Sequence, residues 1–429
     1  MSISGSEFFA SYSIGTRATM ADGKRLKVLI SGAGVAGPAL AFWLHRLGHS
    51  CTVIERGDSL RTGGQQIDLR GPGIEAVKRM GILSDVRDCV VDEAGLEIVD
   101  GKNKAIAFFP RHAPGSETQS FSSEYEIMRG DLCEILYRKT KHTTTYRFGL
   151  HVDCYEDLGN NVKVEFSDGS VESYDLLVGA DGQGSRIRRA MFEGDDEQSL
   201  RSMGCSLAYF PIDRTSKDMD HATAYWGTQQ RVLMTRWHSP DRGQVYLMTF
   251  NRSNEIKSAL KQDAAKQKMI FGKLFKDVGW ERIDRLLGAM HSADDFYAHE
   301  IIQVRADKWS KGRVVLLGDA AFCSSPMSGM GTSLALIGAY VLAGAISENQ
   351  DLGTAFQAYD GTLRPYVEKI QALRTPWHWI LPKSEIGLRI LNCALRFASK
   401  IGLFSLITLF GQESGNDWKM PQYGALDED

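Results

Sequence analysis

The hydrophobic pattern changes its period several times along the chain. Lys27–Ser31 (KVLIS) is a short apolar run without alternation, as a parallel strand covered on both faces requires. Val35–Leu47 repeats its apolar positions at helical spacing, and Cys51–Ile54 (CTVI) is a second apolar run that ends at Glu55. Strand, helix and strand in that order predict a βαβ opening. Ile74–Met80 and Arg129–Lys139 read as helices, the first stopped by Gly81. Asn161–Phe166 and Val171–Tyr174 read as a hairpin turned by Ser167-Asp168-Gly169, and Tyr174–Ala180 (YDLLVGA) as a strand running into Asp181-Gly182. From about Ser206 to Asn251 alternation dominates (SLAYFPI, RVLMTRW, QVYLMTF), which predicts a separate sheet. Ala259–Leu287 is mostly helical, Arg313–Leu317 is again a buried-type strand, and Gly331–Ile346 is a helix made of small and apolar residues.

The C-terminal stretch Ile386–Phe410 is strongly apolar, and Arg389, Arg396 and Lys400 share one helical face. Two readings stand: an amphipathic helix docked with its basic stripe in water, or a helix in peripheral contact with a membrane surface. The uncharged run from Ile401 to Gln412 is shorter than the roughly 20 residues that span a bilayer. At 429 residues, 43% hydrophobic, the chain can form two or three packed units, and a net charge of −3 gives it no overall basic character for nucleic acid. Seven cysteines with no C-x-x-C pair read as reduced thiols in a cytoplasmic protein, and the histidines show no H-E-x-x-H spacing, so no metal site is expected. Residues 1–26, rich in Ser, Gly and Ala with no apolar core, read as a disordered leader and not as a secretory signal.

Three motifs carry chemistry. Gly32-Ala33-Gly34-Val35-Ala36-Gly37 follows a strand and opens a helix. In such a fingerprint the first glycine permits the tight turn, the second lets a pyrophosphate approach the backbone, and the third lets helix and strand pack closely. The N–H groups at the helix start favour the anion, and Glu55, at the end of the next strand, suits ribose hydroxyls. The second motif, Asp181-Gly182-Gln183-Gly184-Ser185-Arg186-Ile187-Arg188, is by itself compatible with a turn and helix cap. The third places Gly318-Asp319 at the carboxyl end of a strand, where open α/β sheets bind ligands. Asp319 there suits a sugar-like hydroxyl chain, and the amides of the Pro326–Gly331 loop suit negative charge on a ring. Only one complete fingerprint is present, so a second nucleotide would have no Rossmann domain of its own.

Together, and in this order, the motifs resemble the single-component FAD-dependent aromatic hydroxylases, the para-hydroxybenzoate hydroxylase family, from Lys27 to about Tyr366. The segments GGQQIDLRGPGIEAVKRMGIL and YEIMRGDLCEIL look closest to the tetracycline-inactivating flavin monooxygenases and their bacterial and fungal relatives. The resemblance implies an α/β fold: a Rossmann-like FAD-binding domain of the glutathione-reductase type in two parts (27–200 and 301–360), an inserted β-sheet substrate domain (201–300) and C-terminal helices (361–429). It implies that Gly32, Gly34 and Gly37 cradle the FAD pyrophosphate, that Glu55 binds the adenosine ribose, that Ala36 and Arg56 belong to the same cofactor-binding set, and that Asp68 lies in a flavin-contacting segment. Arg129 would reach the ribityl and phosphate region, Asp181 would serve FAD and nicotinamide nucleotide, Gly318-Asp319 would hold the ribityl chain, and Gly329 and Gly331 would face the flavin ring. Arg61 is the candidate for NADPH. Phe322 and Ser325-Pro326 depart from the His and paired prolines of many relatives.

The activity implied is a monooxygenase of secondary metabolism or xenobiotic modification. NADPH or NADH would reduce FAD, O₂ would form a C4a-hydroperoxide, and one oxygen would enter a small aromatic or polyketide-like substrate. Trp226, Arg231, Met234, Arg236, Trp237 and Tyr246 are the candidate substrate contacts, against the alternative that each is ordinary sheet core. No catalytic side chain is identified, and ring hydroxylation, epoxidation and Baeyer–Villiger oxidation stay open, as does the oligomeric state. Three other readings compete. Trp377-His378-Trp379-Ile380-Leu381-Pro382 has the outline of a flavin-dependent halogenase signature, yet it follows Gly318-Asp319 instead of preceding it, and no lysine suited to an active site follows the glycine fingerprint, Lys78 sitting in a predicted helix. An NAD-dependent dehydrogenase leaves two motifs idle. An FAD-carrying protein that binds a ligand without turnover remains open.

Overall fold

The computed structural model describes residues 25–61, 63–111, 124–372, 380–401 and 418–427. A six-stranded sheet forms the first layer, in the order Ser310–Lys311, Val314–Leu316, Leu176–Gly179, Lys27–Ser31, Ser50–Glu55 and Thr145–Phe148. All its pairings are parallel except that of the short edge strand Ser310–Lys311. Val28, Leu29 and Ile30 of the central strand are fully buried, which is why that strand shows no alternation. The helices Ala36–Arg46 and Gly331–Glu348 pack against each other beside it, Trp43 meeting Tyr340 edge-on at 5.1 Å. Among the described residues, Gly331–Glu348 is the one helix long and apolar enough to cross a membrane, and 78% of it is buried in this core.

Tyr174 does not join the strand predicted for Tyr174–Ala180. It closes the antiparallel hairpin Val162–Phe166/Val171–Tyr174, and the parallel strand begins only at Leu176. Asp175 makes the transfer: its N–H donates to the Lys27 carbonyl at 2.8 Å, and its carboxylate accepts the Lys27 N–H at 2.8 Å.

The second layer is a seven-stranded sheet, in the order Tyr297–Val304, Leu200–Asp213, Arg242–Thr249, Arg231–Trp237, Ala222–Gly227, Gly95–Val99 and Ala105–Pro110. It draws its last two strands from residues 95–110, well before the segment expected to build it, and Gly95–Val99 pairs in parallel with Ala222–Gly227. The alternation of each strand sorts side chains onto two faces. One face, with Phe210, Tyr225, Leu233, Trp237, Val245 and Leu247, packs under the helices Ala264–Phe275 and Ile283–Ser292. The other, with Leu207, Tyr209, Trp226, Val232, Tyr246 and Met248, packs against Met327 from the Pro326–Gly331 loop of the first layer.

The C-terminal helix Glu385–Lys400 rests on the edge strand Ala105–Pro110. Further along, Trp418 stacks on Tyr366 at 4.7 Å, and the Asp427 carboxylate accepts from the Tyr340 hydroxyl at 2.8 Å and the Arg79 guanidinium at 3.2 Å.

Candidate active site

The three motifs meet at one place. Gly32 has φ +116°, and a Cβ there would stand 2.4 Å from the Ala180 carbonyl oxygen, so the fingerprint turn lies directly against the backbone that leads into Asp181. A Cβ on Gly37 would stand 2.0 Å from the Gly32 oxygen. Gly34 is different: its nearest neighbour is the Arg129 guanidinium at 3.3 Å, which leaves its outer side open to anything but a flexible cation. Gly318 (φ +64°) places its missing Cβ 3.2 Å from that of Ala36, and Gly331 places its own 3.9 Å from an Asp319 carboxylate oxygen. No side chain among the described residues caps the helix that begins at Ala36, so its first amides are available to an anion.

The polar groups around this junction have distinct roles. The Glu55 carboxylate accepts the Ala33 and Gly57 N–H groups, each at 3.1 Å, and so braces the fingerprint loop from the strand end where a ribose is expected. Arg56 beside it is exposed. Arg129 bonds through its N–H to the Gln65 carbonyl at 3.1 Å and lies between Gly34 and Gly64. Asp68 pairs with Arg70 at 2.5 Å. Arg70 in turn donates its N–H to the Ser333 hydroxyl at 3.0 Å and packs 3.2 Å from the Cβ position of Gly329. Asp68 therefore acts on the Gly329–Gly331 loop through Arg70, a residue the sequence reading passed over although it sits in the quoted GGQQIDLRGPG segment.

Asp181 does cap a helix, as a turn-and-cap motif would: one oxygen accepts the Arg186 N–H at 2.7 Å. Its Oδ1 is buried with no hydrogen-bond partner among the described residues, and burial raises its pKa. The Gln66 amide is likewise buried, with neither polar atom partnered among the described residues. Asp319 is open to water yet ringed by protein, the situation of a carboxylate on the floor of a cleft. That surrounding protein raises its pKa, against the opposing pull of a Cys323 thiol hydrogen bond and the Arg129 charge. Buried polar groups without partners are rare in folded proteins and need an explanation. A glycine cradle opening to a cation, two unsatisfied buried polar groups and a recessed carboxylate fit FAD, a ligand with a pyrophosphate, many hydroxyls and a ring edge of donors and acceptors.

The candidate substrate residues divide between the two faces of the second sheet. Tyr297, Tyr209, Tyr246, Met234 and Ala224 are cross-strand neighbours in one row on the open face. His299, Leu207, Met248, Val232 and Trp226 form the next row. Trp226, Met234 and Tyr246 thus face the Met327 loop. Arg231 and Trp237 do not: the odd positions of that strand point under the helices, where Arg231 pairs with Asp277 and Trp237 joins the core. Arg236 has the open-face register but is buried and held at 2.5 Å by both Glu93 and Glu126. Burial alone would lower its pKa, and the two carboxylates raise it instead. Glu126 is pushed up to about 7, first by burial and then by Asp68 and Glu93, although Arg236 opposes them. Arg236 is thus a seam between the layers and not a contact waiting for substrate.

Tyr246 is tied by its hydroxyl, which donates to Gln244 at 2.9 Å, while the Gln244 amide donates to the Gly64 carbonyl at 2.5 Å. Its ring face remains for packing. Arg61 is exposed, 5.2 Å from the Tyr297 ring centroid. Sequence reading also missed Tyr209, Glu93, Glu126 and His299. The His299 Nδ1 is buried without a partner among the described residues, and burial, with Arg61 adding to it, lowers the imidazole to about 4. Of the halogenase-like signature, residues 377–379 lie outside the described residues; Pro382 accepts the Gln230 N–H at 3.0 Å.

Comparison with known proteins matches this geometry. The family model described as an FAD binding domain matches residues 25–365. The FAD-dependent monooxygenase asL4 of Sarocladium schorii is 37% identical over 426 residues, covering 94% of this chain and 99% of its own. The flavin-dependent monooxygenase eupH of a Phoma species is 38% identical, covering 87% of this chain and 92% of its own. Among solved structures, the tetracycline destructase Tet(55) superposes with a TM-score of 0.76 at 30% identity, over 93% of this chain and 99% of its own.

Proposed function

Because the chain belongs to the FAD binding domain family, and is an FAD-dependent monooxygenase of the aromatic hydroxylase type, we propose that it oxygenates a flat aromatic or polyketide-like molecule held on the Tyr209–Tyr246–Met234 face, with NADPH or NADH as reductant. The observation that carries the substrate class is the open sheet face itself: aromatic and methionine side chains in register, turned toward the loop that joins Asp319 to Gly331. Such a surface receives a planar ring by dispersion and stacking without imposing a charge pattern. A polycyclic substrate is also consistent with the name of the solved relative Tet(55).

Bound FAD would supply the redox chemistry, taking electrons from the reductant and activating O₂. Gly32, Gly34 and Gly37 with Arg129 would hold its pyrophosphate, and Asp319 its hydroxyl chain. The amides at the start of the helix Gly331–Glu348 would stabilise negative charge at the ring edge. Tyr209, Trp226 and Met248 would exclude water from the reacting face. His299 is neutral near pH 7, so its imidazole would exchange a hydrogen bond with a substrate hydroxyl without adding charge. With no second fingerprint in the chain, the nicotinamide nucleotide would bind at the cleft mouth, where Arg61 is exposed.

The test is steady-state oxidation of NADPH and of NADH by the FAD-loaded protein, with and without a panel of phenols and polycyclic polyketides. The reading requires ring-bearing substrates to stimulate oxidation and to take up label from ¹⁸O₂. A yellow protein that consumes no nicotinamide nucleotide with any of them would overturn it.

A further inference from the structure

The C-terminal helix Glu385–Lys400 presents to solvent the side that a docked helix normally hides. Its inner side is settled: Leu395 packs on the cluster of Ile98, Ile106 and Ala107, and Ala398 is buried. Its outer side carries Ile386, Ile390, Phe397 and, just past the end, Ile401, which are 72%, 66%, 64% and 51% exposed. Spacings of four, seven and four residues put these side chains in one stripe along the helix. Arg389, Arg396 and Lys400 flank that stripe along one edge, all exposed. Arg389 lies 3.9 Å from Glu385, the one acidic residue of the helix, and Arg396 reaches Asp100 at 2.8 Å. The expected amphipathic helix is present, but both its basic residues and a full apolar stripe face outward.

We infer that this helix anchors the protein on the surface of an anionic lipid bilayer. An apolar stripe bordered by cations is the pattern of a helix lying in the membrane interface, with side chains such as isoleucine and phenylalanine among the acyl chains and arginine and lysine at the phosphates. Sixteen residues make a helix about 24 Å long, too short to span a bilayer and long enough to lie along it. Charge argues against an antiparallel second copy as the occupant: that two-fold contact would set Arg389, Arg396 and Lys400 along the same edge as their own equivalents. The sequence continues the apolar character, with no charged residue from Ile401 to Gln412. Leu395 and Trp226 pack on the same cluster of Ile98, Ile106 and Ala107, so the anchoring helix would sit beside the substrate face. The inference concerns where the enzyme sits and does not depend on the reaction proposed above.

Flotation of the full-length, FAD-loaded protein with vesicles tests it. The wild type should float with phosphatidylcholine vesicles containing phosphatidylserine, much less with phosphatidylcholine alone, and be released by high salt. Ile390→Glu with Phe397→Glu should cut the bound fraction at least roughly tenfold. The milder pair Ile390→Ser with Phe397→Ser should show a smaller loss in the same direction. Arg389→Glu with Lys400→Glu should abolish the preference for phosphatidylserine. Unchanged thermal melting and flavin content would show that the variants fold. A wild type that stays with neither vesicle, or variants that float like the wild type, would overturn the inference. So would a wild-type dimer dissociated by the Ile390/Phe397 substitutions, which would assign the stripe to contact between copies.

Discussion

The Cα of Gly32 faces the carbonyl oxygen of Ala180 so closely that a methyl group on it would lie 2.4 Å away. The turn of the first motif and the strand end of the second are thus one packed unit. Gly32→Ala combines that overlap with a positive φ and should destabilise the fold by about 3 kcal/mol or more. Gly34→Ala meets only the Arg129 guanidinium, which can move. It should leave urea unfolding nearly unchanged while weakening FAD binding by about 1–2 kcal/mol, read as flavin lost on gel filtration. Equal effects from the two substitutions would contradict the geometry.

Asp319 is the opposite case, a carboxylate whose loss should spare the fold. It is accessible on the cleft floor, and its surroundings already disfavour its charge. Asp319→Ala should lower FAD affinity by about 2–3 kcal/mol, the scale of hydrogen bonds to a charged group. The melting temperature of FAD-free protein should stay the same or rise. Flavin fluorescence titration beside a thermal melt separates the two quantities.

The Arg236 cluster should behave as a structural seam. Arg236→Met leaves Glu93 and Glu126 buried without their cation, which costs about 3–5 kcal/mol. Adding Glu93→Leu and Glu126→Gln should recover most of that loss in urea unfolding. If Arg236→Met instead kept full stability and raised KM alone, Arg236 would be a substrate contact after all.

Two tryptophans predicted together should separate. Trp226→Ala, on the open face, should raise KM or uncouple nicotinamide oxidation from product formation, with modest loss of stability. Trp237→Ala, under the helices, should cost about 3–5 kcal/mol and leave KM of the folded fraction unchanged. Sequence alone grouped Trp237 with cleft residues because alternation in RVLMTRW, as in the strand that holds Trp226, reveals a period of two without revealing which phase faces the cleft. That phase is set by partners far away in the chain, the helices of residues 264–292 on one side and Met327 on the other.

The same limit explains what else was legible. The parallel strands, the fingerprint helix and the all-apolar helix Gly331–Glu348 were readable because each signal lies within one continuous segment. Gly95–Val99 and Ala105–Pro110 carried a hairpin signal around Asp100–Lys104 that went unused, and nothing local announces their parallel pairing with Ala222–Gly227. Arg70 and Glu126 stood inside quoted motifs, but their importance lies in partners at Gly329 and Arg236, which only folding brings near.

His49 gives the chain an acid sensitivity with a definite sign. Burial, with Arg25 assisting, lowers its pKa from 6.5 to about 4, so the unfolded chain takes up a proton that the folded chain refuses. Its contribution is complete above about pH 6.5 and is lost as pH falls toward about 4. Near about pH 5 the loss is about 2 kcal/mol. His49→Gln should flatten the stability profile over that window in urea titrations, and an unchanged slope would refute the assignment.

Among the described residues the chain passes between its two large sheets four times: before Gly95, after Pro110, at Ser199–Leu200 and after Val304. Four such stitches tie the layers more tightly than a single linker would, since any rotation of one layer against the other must bend every crossing at once. Arg236 and Gln244 add rivets between the stitches. Guests are therefore expected to come and go by shifting loops and side chains at the rim more than by parting the two walls of the cleft.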